Sequence, residues 1–223
     1  RVDLFLNHYM STPISDIRKT YDHAELLESD AAAAPMEQFD RWWAQALEAK
    51  IEEVNAMTLA TVDASGMPDA RIVLLKGVDE IGFHFYSNYQ SRKGMQLTNN
   101  EQACLVFFWK ELERQVRVRG RMERLPETES DAYFSSRPVE SRLGAIASPQ
   151  STVIEGRDWL IQRYAAVQAE YAGKEPIRPA HWGGYRLIAE SVEFWQGRPG
   201  RMHDRIEYKK DPSGSWLRQR LAP

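Results

Sequence analysis

From residue 56 onward, apolar and polar positions alternate with a period of two. This spacing predicts short strands over 56–62, 70–76, 83–88, 103–109 and 115–122. Polar turns at 63–66 and 79–82 separate the early ones. The alternation returns over 184–187, 191–195, 205–209 and 216–220. Helical spacing appears in between. Pro35 opens one helix, with Met36, Phe39, Trp43, Ala46 and Leu47 as its apolar stripe. A short helical insert covers 91–99 and another helix covers 126–136. A third, 157–171, places Leu160, Ile161, Tyr164, Val167, Gln168 and Tyr171 on one face, predicting an amphipathic helix. Strands following one another through polar turns predict a mainly β, α+β protein: an antiparallel sheet or barrel with flanking helices. No Gly-x-Gly-x-x-Gly follows a strand, which argues against a Rossmann dinucleotide site.

The first nine residues read as an upstream extension, with Met10 as a natural start, and residues 11–34 as a mobile arm or short helix. The expected division is therefore an extension and arm over 1–34 and a single domain over 35–223. Composition narrows the function classes. A net charge of -3 gives no global basic surface for nucleic acid. No run approaches the ~18 apolar residues of a membrane span, and no leader pattern is visible. Cys104 is the one cysteine, within an apolar run, and is expected to be a small buried hydrophobe. These features fit a reducing, cytoplasmic setting. The five histidines show no ligand spacing, so no metal site is expected.

Four stretches carry candidate chemistry. In 193–205, Trp195 precedes a Gly/Pro turn, from which Arg201, His203 and Arg205 emerge at alternate positions. Cations beside a flat aromatic suit a planar anion; the same residues also suit a solvated hairpin. Arg71 and Lys76 bracket the apolar Ile72, Val73, Leu74 and Leu75, and strand parity puts the two cations on opposite faces. They are either snorkelling strand ends or phosphate ligands. Tyr86 and Ser87 end a strand before Ser91, a plausible N-cap, with Arg92 and Lys93 at the helix start, a ready phosphate site. Tyr133 and Arg137 share a helix face and Ser141 follows, which forms either a phosphate clamp or an ordinary helix end. Gln115, Arg117, Arg119 and Arg121 share one face of their strand and read as a solvated, salt-bridged surface rather than a nucleic-acid face.

Trp182-Gly-Gly-Tyr185, Glu193-Phe-Trp-Gln-Gly197, Arg201-Met-His-Asp-Arg205 and Arg220-Leu-Ala-Pro223 together resemble the pyridoxine/pyridoxamine 5′-phosphate oxidase family. The resemblance runs from about Arg18 to Pro223. It implies an FMN-binding split β-barrel and a homodimer with flavin sites between subunits. It also implies hydride transfer from the substrate C4′ carbon to flavin N5, with oxygen as acceptor and hydrogen peroxide released. The phosphorylated B6 vitamers would be the substrates. Carried over residue by residue, Arg71 through Lys76, Tyr86, Ser87, Arg92, Lys93, Gln115, Gln150, Ser151, Trp195 and Arg205 match flavin contacts. Lys76, Tyr133, Arg137 and Ser141 match the substrate-phosphate site. Arg201, Met202 and His203 match the substrate site, with Arg201 and His203 as the catalytic pair; Arg18 and Tyr21 match an N-terminal segment that closes over the substrate. Glu53 stands where some members carry Asp. A non-catalytic flavin- or pyridoxal-phosphate-binding split barrel, or a deazaflavin-type reductase, would not need the phosphate clamp and the Arg201/His203 pair together.

Overall fold

The computed structural model describes residues 14–223. The expected upstream extension and start at Met10 lie outside the described residues. Among the described residues, nine strands form one antiparallel sheet: β1 Ala56–Val62, β2 Pro68–Leu74, β3 Gly77–Val78, β4 Gly82–Asn88, β5 Gln102–Trp109, β6 Arg114–Arg124, β7 Trp182–Gln196, β8 Asp204–Lys210 and β9 Trp216–Arg220. Five helices flank it: α1 Pro35–Glu48, α2 Arg92–Asn99, α3 Glu127–Ser136, α4 Val139–Ala147 and α5 Arg157–Glu170.

The main strand order is β2-β1-β5-β6-β7-β4-β3, so β2 and β3 stand at opposite ends. Yet only Leu75 and Lys76 separate them in sequence. A link that short spans at most ~11 Å, which forces the sheet to curl until its ends meet. Backbone bonds made by that link, from Leu75 N to Asn55 O (2.8 Å) and from Lys76 N to His84 O (2.8 Å), join the two ends.

Strand β7 is the seam. One of its edges pairs with β6, while the other pairs with β4 over Trp182–Asn88 to Ile188–Gly82 and then with β8 from Ser191 to Gln196. The split falls at a bulge, where the β6 register shifts between Arg119 and Gly120 and Glu190 is left over. A side chain on Gly120 would run into the Ile188 carbonyl, so the bulge requires glycine here. The expected strands at 184–187 and 191–195 are therefore one strand, since the extra residue breaks the alternation without breaking the pairing.

The barrel interior holds Met57, Leu59, Phe83, Phe85, Leu105, Phe107, Val116, Val118, Leu187 and Phe194. α1 closes it. Pro35 begins the helix after an extended Ala34, and Phe39, Trp42 and Ala46 are buried. Phe39 meets Phe83 edge-on at 4.9 Å, and Trp42 meets Phe194 likewise at 5.3 Å. Each such aromatic contributes roughly 1.5–3 kcal/mol by leaving water. Trp42 rather than Trp43 lies on the fully buried stripe, and Leu47 is exposed, because the barrel mouth contacts a narrower face than the apolar pattern suggested.

Two expectations change elsewhere. Residues 139–147 also form a helix, started by Pro138. Helix α5 forms as expected, but only Val167 is buried, against Leu143 and Ala147 of α4; Ile161 and Gln168 face outward. Residues 17–34 are not a helix. They form an irregular strap laid across β8 and β9, pinned where Leu26 N donates to Asp204 (3.0 Å), Arg220 pairs with Glu28 and Asp204, Arg218 donates to Ala31 O, and Tyr208 Oη donates to Ala32 O (2.7 Å).

Candidate functional site

The candidate residues fall into two groups. The first surrounds α2. On β2, residues 69, 71 and 73 turn inward and 70, 72 and 74 outward, so Arg71 is half-buried while Ile72 and Leu74 are exposed. Val73 packs against the core and Leu75 belongs to it, which leaves their backbone for any ligand. Arg71 donates to Thr61 Oγ1 (2.6 Å), Leu59 O (3.1 Å) and Gln96 Oε1 (3.0 Å), and pairs with Asp69 at 2.7 Å. Its guanidinium is thereby fixed. Ser91 caps α2, accepting from Gly94 N, and a side chain on Gly94 would strike the Tyr89 carbonyl. Lys93 reaches back across the cap to Ser91 Oγ (3.2 Å) and Gln150 Oε1 (3.0 Å), which also accepts from Ser87 Oγ (3.3 Å). Arg92 is exposed beside it, as is Ser151, held at φ 71°.

Lys93 is the informative group. It is half-buried, and the partners it touches are neutral oxygens. Burial, and then the neighbouring Arg71, push its ammonium below the ordinary lysine value. A cation held this way at a capped helix start fits a phosphate that brings the missing charge.

The adjoining wall is aromatic. Tyr86 of β4 stacks on Tyr133 of α3 at 3.8 Å, and both rings lie nearly parallel to Trp182 at 5.7 and 6.2 Å. Burial raises the Tyr86 phenol above its usual value. Arg137, which ends α3, lies over Trp182 at 4.7 Å, and its Nη1 is buried with no hydrogen-bond partner. An orphaned guanidinium nitrogen is expensive unless a ligand completes it. Ser141 is exposed on the first turn of α4, and Lys76 is exposed next to β3, one residue from the Gly77–His84 pair.

The second group lies at the far end of β7. Phe108, Gln115, Trp195 and Arg205 are direct cross-strand neighbours across β5, β6, β7 and β8. Arg205 is held by buried Glu193 (2.9 Å) and by Ala222 O (2.8 Å), and this pairing raises its pKa further. Glu193 also pairs with Arg117. Tyr21 of the strap stands edge-on to Trp195 (5.7 Å) and His203 (5.8 Å), and His203 lies 4.6 Å from Trp195. The backbone N–H of Arg198 donates to His203 Nδ1 at 3.1 Å, which leaves the proton of the neutral ring on Nε2. Burial and then Arg201 lower its pKa, so the ring is neutral at pH 7. Arg201 lies in a short 3-10 turn at φ 63°, exposed, with Met202 exposed after it; Arg18 is exposed on the strap. Strand β8 begins only at Asp204. The regular parity of 201, 203 and 205 therefore does not apply, and Arg201 is free of the face that Arg205 occupies.

The structure thus gathers Arg71, Tyr86, Ser87, Lys93, Tyr133, Arg137 and Gln150 at one end and Tyr21, Gln115, Trp195, His203 and Arg205 at the other. Trp182 and Trp195, which mark the two groups, are thirteen residues apart on one strand. That is up to roughly 40 Å of extended chain, which puts the two groups at opposite ends of the strand. Sequence reasoning did not single out Trp182, Glu193, Thr61, Gln96 or Glu113. The first two lie inside the quoted motifs, while the contacts of the others are long-range and left no local signal. Cys104 is half-buried on the outward face of β5 rather than buried in the core, because it follows the parity of Val106 and Phe108; burial raises its thiol pKa. The outward face of β6 carries Gln115, Arg117, Arg119 and Arg121, as its alternation predicted.

Known proteins resemble this chain over nearly its whole length. The family model described as pyridoxamine 5′-phosphate oxidase matches residues 44–171, and that of the pyridoxine 5′-phosphate oxidase C-terminal dimerisation region matches 182–223. The pyridoxine/pyridoxamine 5′-phosphate oxidase of Cupriavidus pinatubonensis is 56% identical over 95% of this chain and all of its own length. That of Burkholderia cenocepacia is 56% identical at the same coverage. Among solved structures, PhzG from Burkholderia lata 383, in complex with tetrahydrophenazine-1-carboxylic acid, superposes with a TM-score of 0.84 at 30% identity over 91% of this chain and all of its own. A pyridoxamine 5′-phosphate oxidase-related, FMN-binding protein of Nostoc punctiforme shares the fold, with a TM-score of 0.68 at 19% identity over 85% of this chain and 98% of its own. With its split barrel, its helix-capped cation site and these relatives over nearly its whole length, the chain belongs to the pyridoxine/pyridoxamine 5′-phosphate oxidase family.

Proposed function

We propose that the protein oxidises pyridoxamine 5′-phosphate and pyridoxine 5′-phosphate to pyridoxal 5′-phosphate, with FMN as cofactor, oxygen as acceptor and hydrogen peroxide as product. The observation that carries this reading is the division of the candidate residues between two ends of β7, one end built for phosphates and the other for a planar ring. Two copies of the chain, arranged so that the ends of different copies meet, would complete two equivalent sites. The match of 182–223 to a dimerisation region supports a homodimer.

Arg71, Lys93 and the start of α2 would hold the FMN phosphate, with Ser87, Gln150 and the Tyr86 wall beside the ring system. Gln115, Trp195 and Arg205 of the second copy would close on the same cofactor. FMN, when bound, supplies the two-electron acceptor. Arg137, with Tyr133, Ser141 and Lys76, would take the substrate phosphate. From the second copy, Arg201 would orient the pyridine ring and stabilise its phenolate oxygen. His203, with its Nε2 proton, would donate to the substrate's polar edge, and Tyr21 and Arg18 of the strap would cover it. Residues 35–223 act as one catalytic domain in this reading. The test is a visible spectrum of the purified protein. A flavin absorbance that bleaches when pyridoxamine 5′-phosphate is added anaerobically, and returns with oxygen, is expected; a flavin spectrum indifferent to both vitamers would overturn the reading.

A further inference from the structure

Glu113 sits in the turn between β5 and β6, in the left-handed region at φ 55°, and is 3% exposed. A non-glycine residue holds that conformation only where its surroundings compensate. Here the compensation is specific. One carboxylate oxygen accepts from the backbone N–H groups of Asp22 (2.9 Å) and His23 (3.1 Å), and the other pairs with Lys19 at 2.9 Å. These three residues flank Tyr21, the strap residue that meets Trp195 and His203. The Glu113 carbonyl accepts from Gly197 N at 2.8 Å, at the root of the turn that carries Arg201 and His203. A side chain on Gly197 would lie 2.8 Å from the Tyr21 ring and 3.0 Å from Glu113 Cβ, so strap, turn and latch are in close contact.

The rest of the strap has its own anchors. Arg198 donates to Ala24 O, Asp204 accepts from Leu26 N, and Arg220 pairs with Glu28. Among the described residues, Glu113 thus provides the hydrogen bonds and ion pair that tie the strap upstream of Ala24, the part that contains Arg18 and Tyr21, to the barrel.

We infer that Glu113 is a positioning residue: its carboxylate latches the strap over Trp195 and His203, so that release of this one group uncovers that end of the site while the barrel and the phosphate end stay intact. The inference rests on the proposed oxidation for the identity of the substrate, but the latch itself does not depend on it.

The test uses the full chain, with Glu113→Gln and Glu113→Ala. Gln keeps an acceptor oxygen for the two N–H groups and loses the ion pair; Ala loses both. Cleavage by trypsin after Arg18 and Lys19, located by mass spectrometry, should quicken in the order wild type, Gln, Ala, reaching about tenfold in Ala. The KM for pyridoxamine 5′-phosphate should rise in the same order, while kcat, FMN content and cleavage elsewhere change little. Unchanged cleavage at Arg18 and Lys19 in Glu113→Ala would overturn the latch. So would general cleavage with flavin loss in both variants, since that would mark Glu113 as a support of the barrel. A wild-type protein that oxidises neither vitamer would refute the proposed function, and the cleavage ratios would still decide the latch.

Discussion

Lys93→Met separates binding from stability in a way that other substitutions do not. In the free protein, the Lys93 ammonium bonds only to the neutral oxygens of Ser91 and Gln150, with burial and Arg71 both acting against its charge. Methionine keeps the length and most of the packing while removing that charge. Without flavin, the variant should therefore be as stable as wild type or more stable, by up to about 1 kcal/mol for a partly exposed like-charge contact. The sign with pH follows from the lowered pKa. A lysine depressed in the folded state carries its penalty in full below its folded pKa and loses it as pH rises toward the unfolded value of 10.5. The advantage of methionine should thus be present at pH 7, shrink as the pH rises toward 10.5 and be gone above it. With FMN the sign reverses. Loss of one charge-assisted phosphate contact costs roughly 1.5–3 kcal/mol, or about ten- to a hundredfold in affinity. Thermal melts of apoprotein and fluorescence titration with FMN measure the two effects. A variant that melts lower without flavin yet binds FMN as tightly as wild type would refute the reasoning, because Lys93 would then be a structural cation and not a phosphate ligand.

Other outcomes follow from the same geometry. Arg205→Leu leaves buried Glu193 with Arg117 alone and should chiefly weaken FMN binding, whereas Arg201→Leu should keep the flavin spectrum while kcat falls and KM rises; steady-state assays at saturating FMN distinguish them. Protonation of His203 should abolish its acceptance from Arg198 N, so kcat/KM should fall on the acid side with an apparent pKa below 6.5, and His203→Asn should remove that limb of the pH profile. Gly94→Ala drives a methyl into the Tyr89 carbonyl and should displace the start of α2, with FMN lost before the fold is, as read by flavin content and circular dichroism.

Much of this was legible because the barrel is built from alternation. β1 has the expected bounds, and the outward cations of β6 follow from parity alone. The features that escaped are those where a local rule gives way to a distant one. The bulge at Glu190 hid the continuity of β7. Arg201 at φ 63° breaks a parity that its neighbours on β8 obey. Helix α5 shows an apolar stripe whose burial within one chain is confined to Val167. The strap was the least visible element, since its order comes from backbone groups bonding to Glu113, Asp204, Arg218 and Arg220, residues 90 or more positions away in sequence. For the site, residue types and spacing suggested a phosphate site at Arg92–Lys93 and left Arg137 open between a phosphate clamp and a helix end, while the separation of the two ends by the length of β7 is a property of the sheet.

Subunit complementation decides whether the two ends of β7 that complete a site belong to different chains. Arg137→Leu disables the phosphate end and Arg201→Leu the opposite end. Each homodimer should be nearly inactive. If every site joins the ends of two chains, a mixed dimer carries one doubly altered site and one wild-type site. Equal mixing with subunit exchange should then restore about a quarter of wild-type activity, from one sound site in half of the dimers. Recovery near that level is the predicted result. A mixture as inactive as its two components, with exchange verified by mass-tagged subunits, would place the whole site within a single chain and contradict the account.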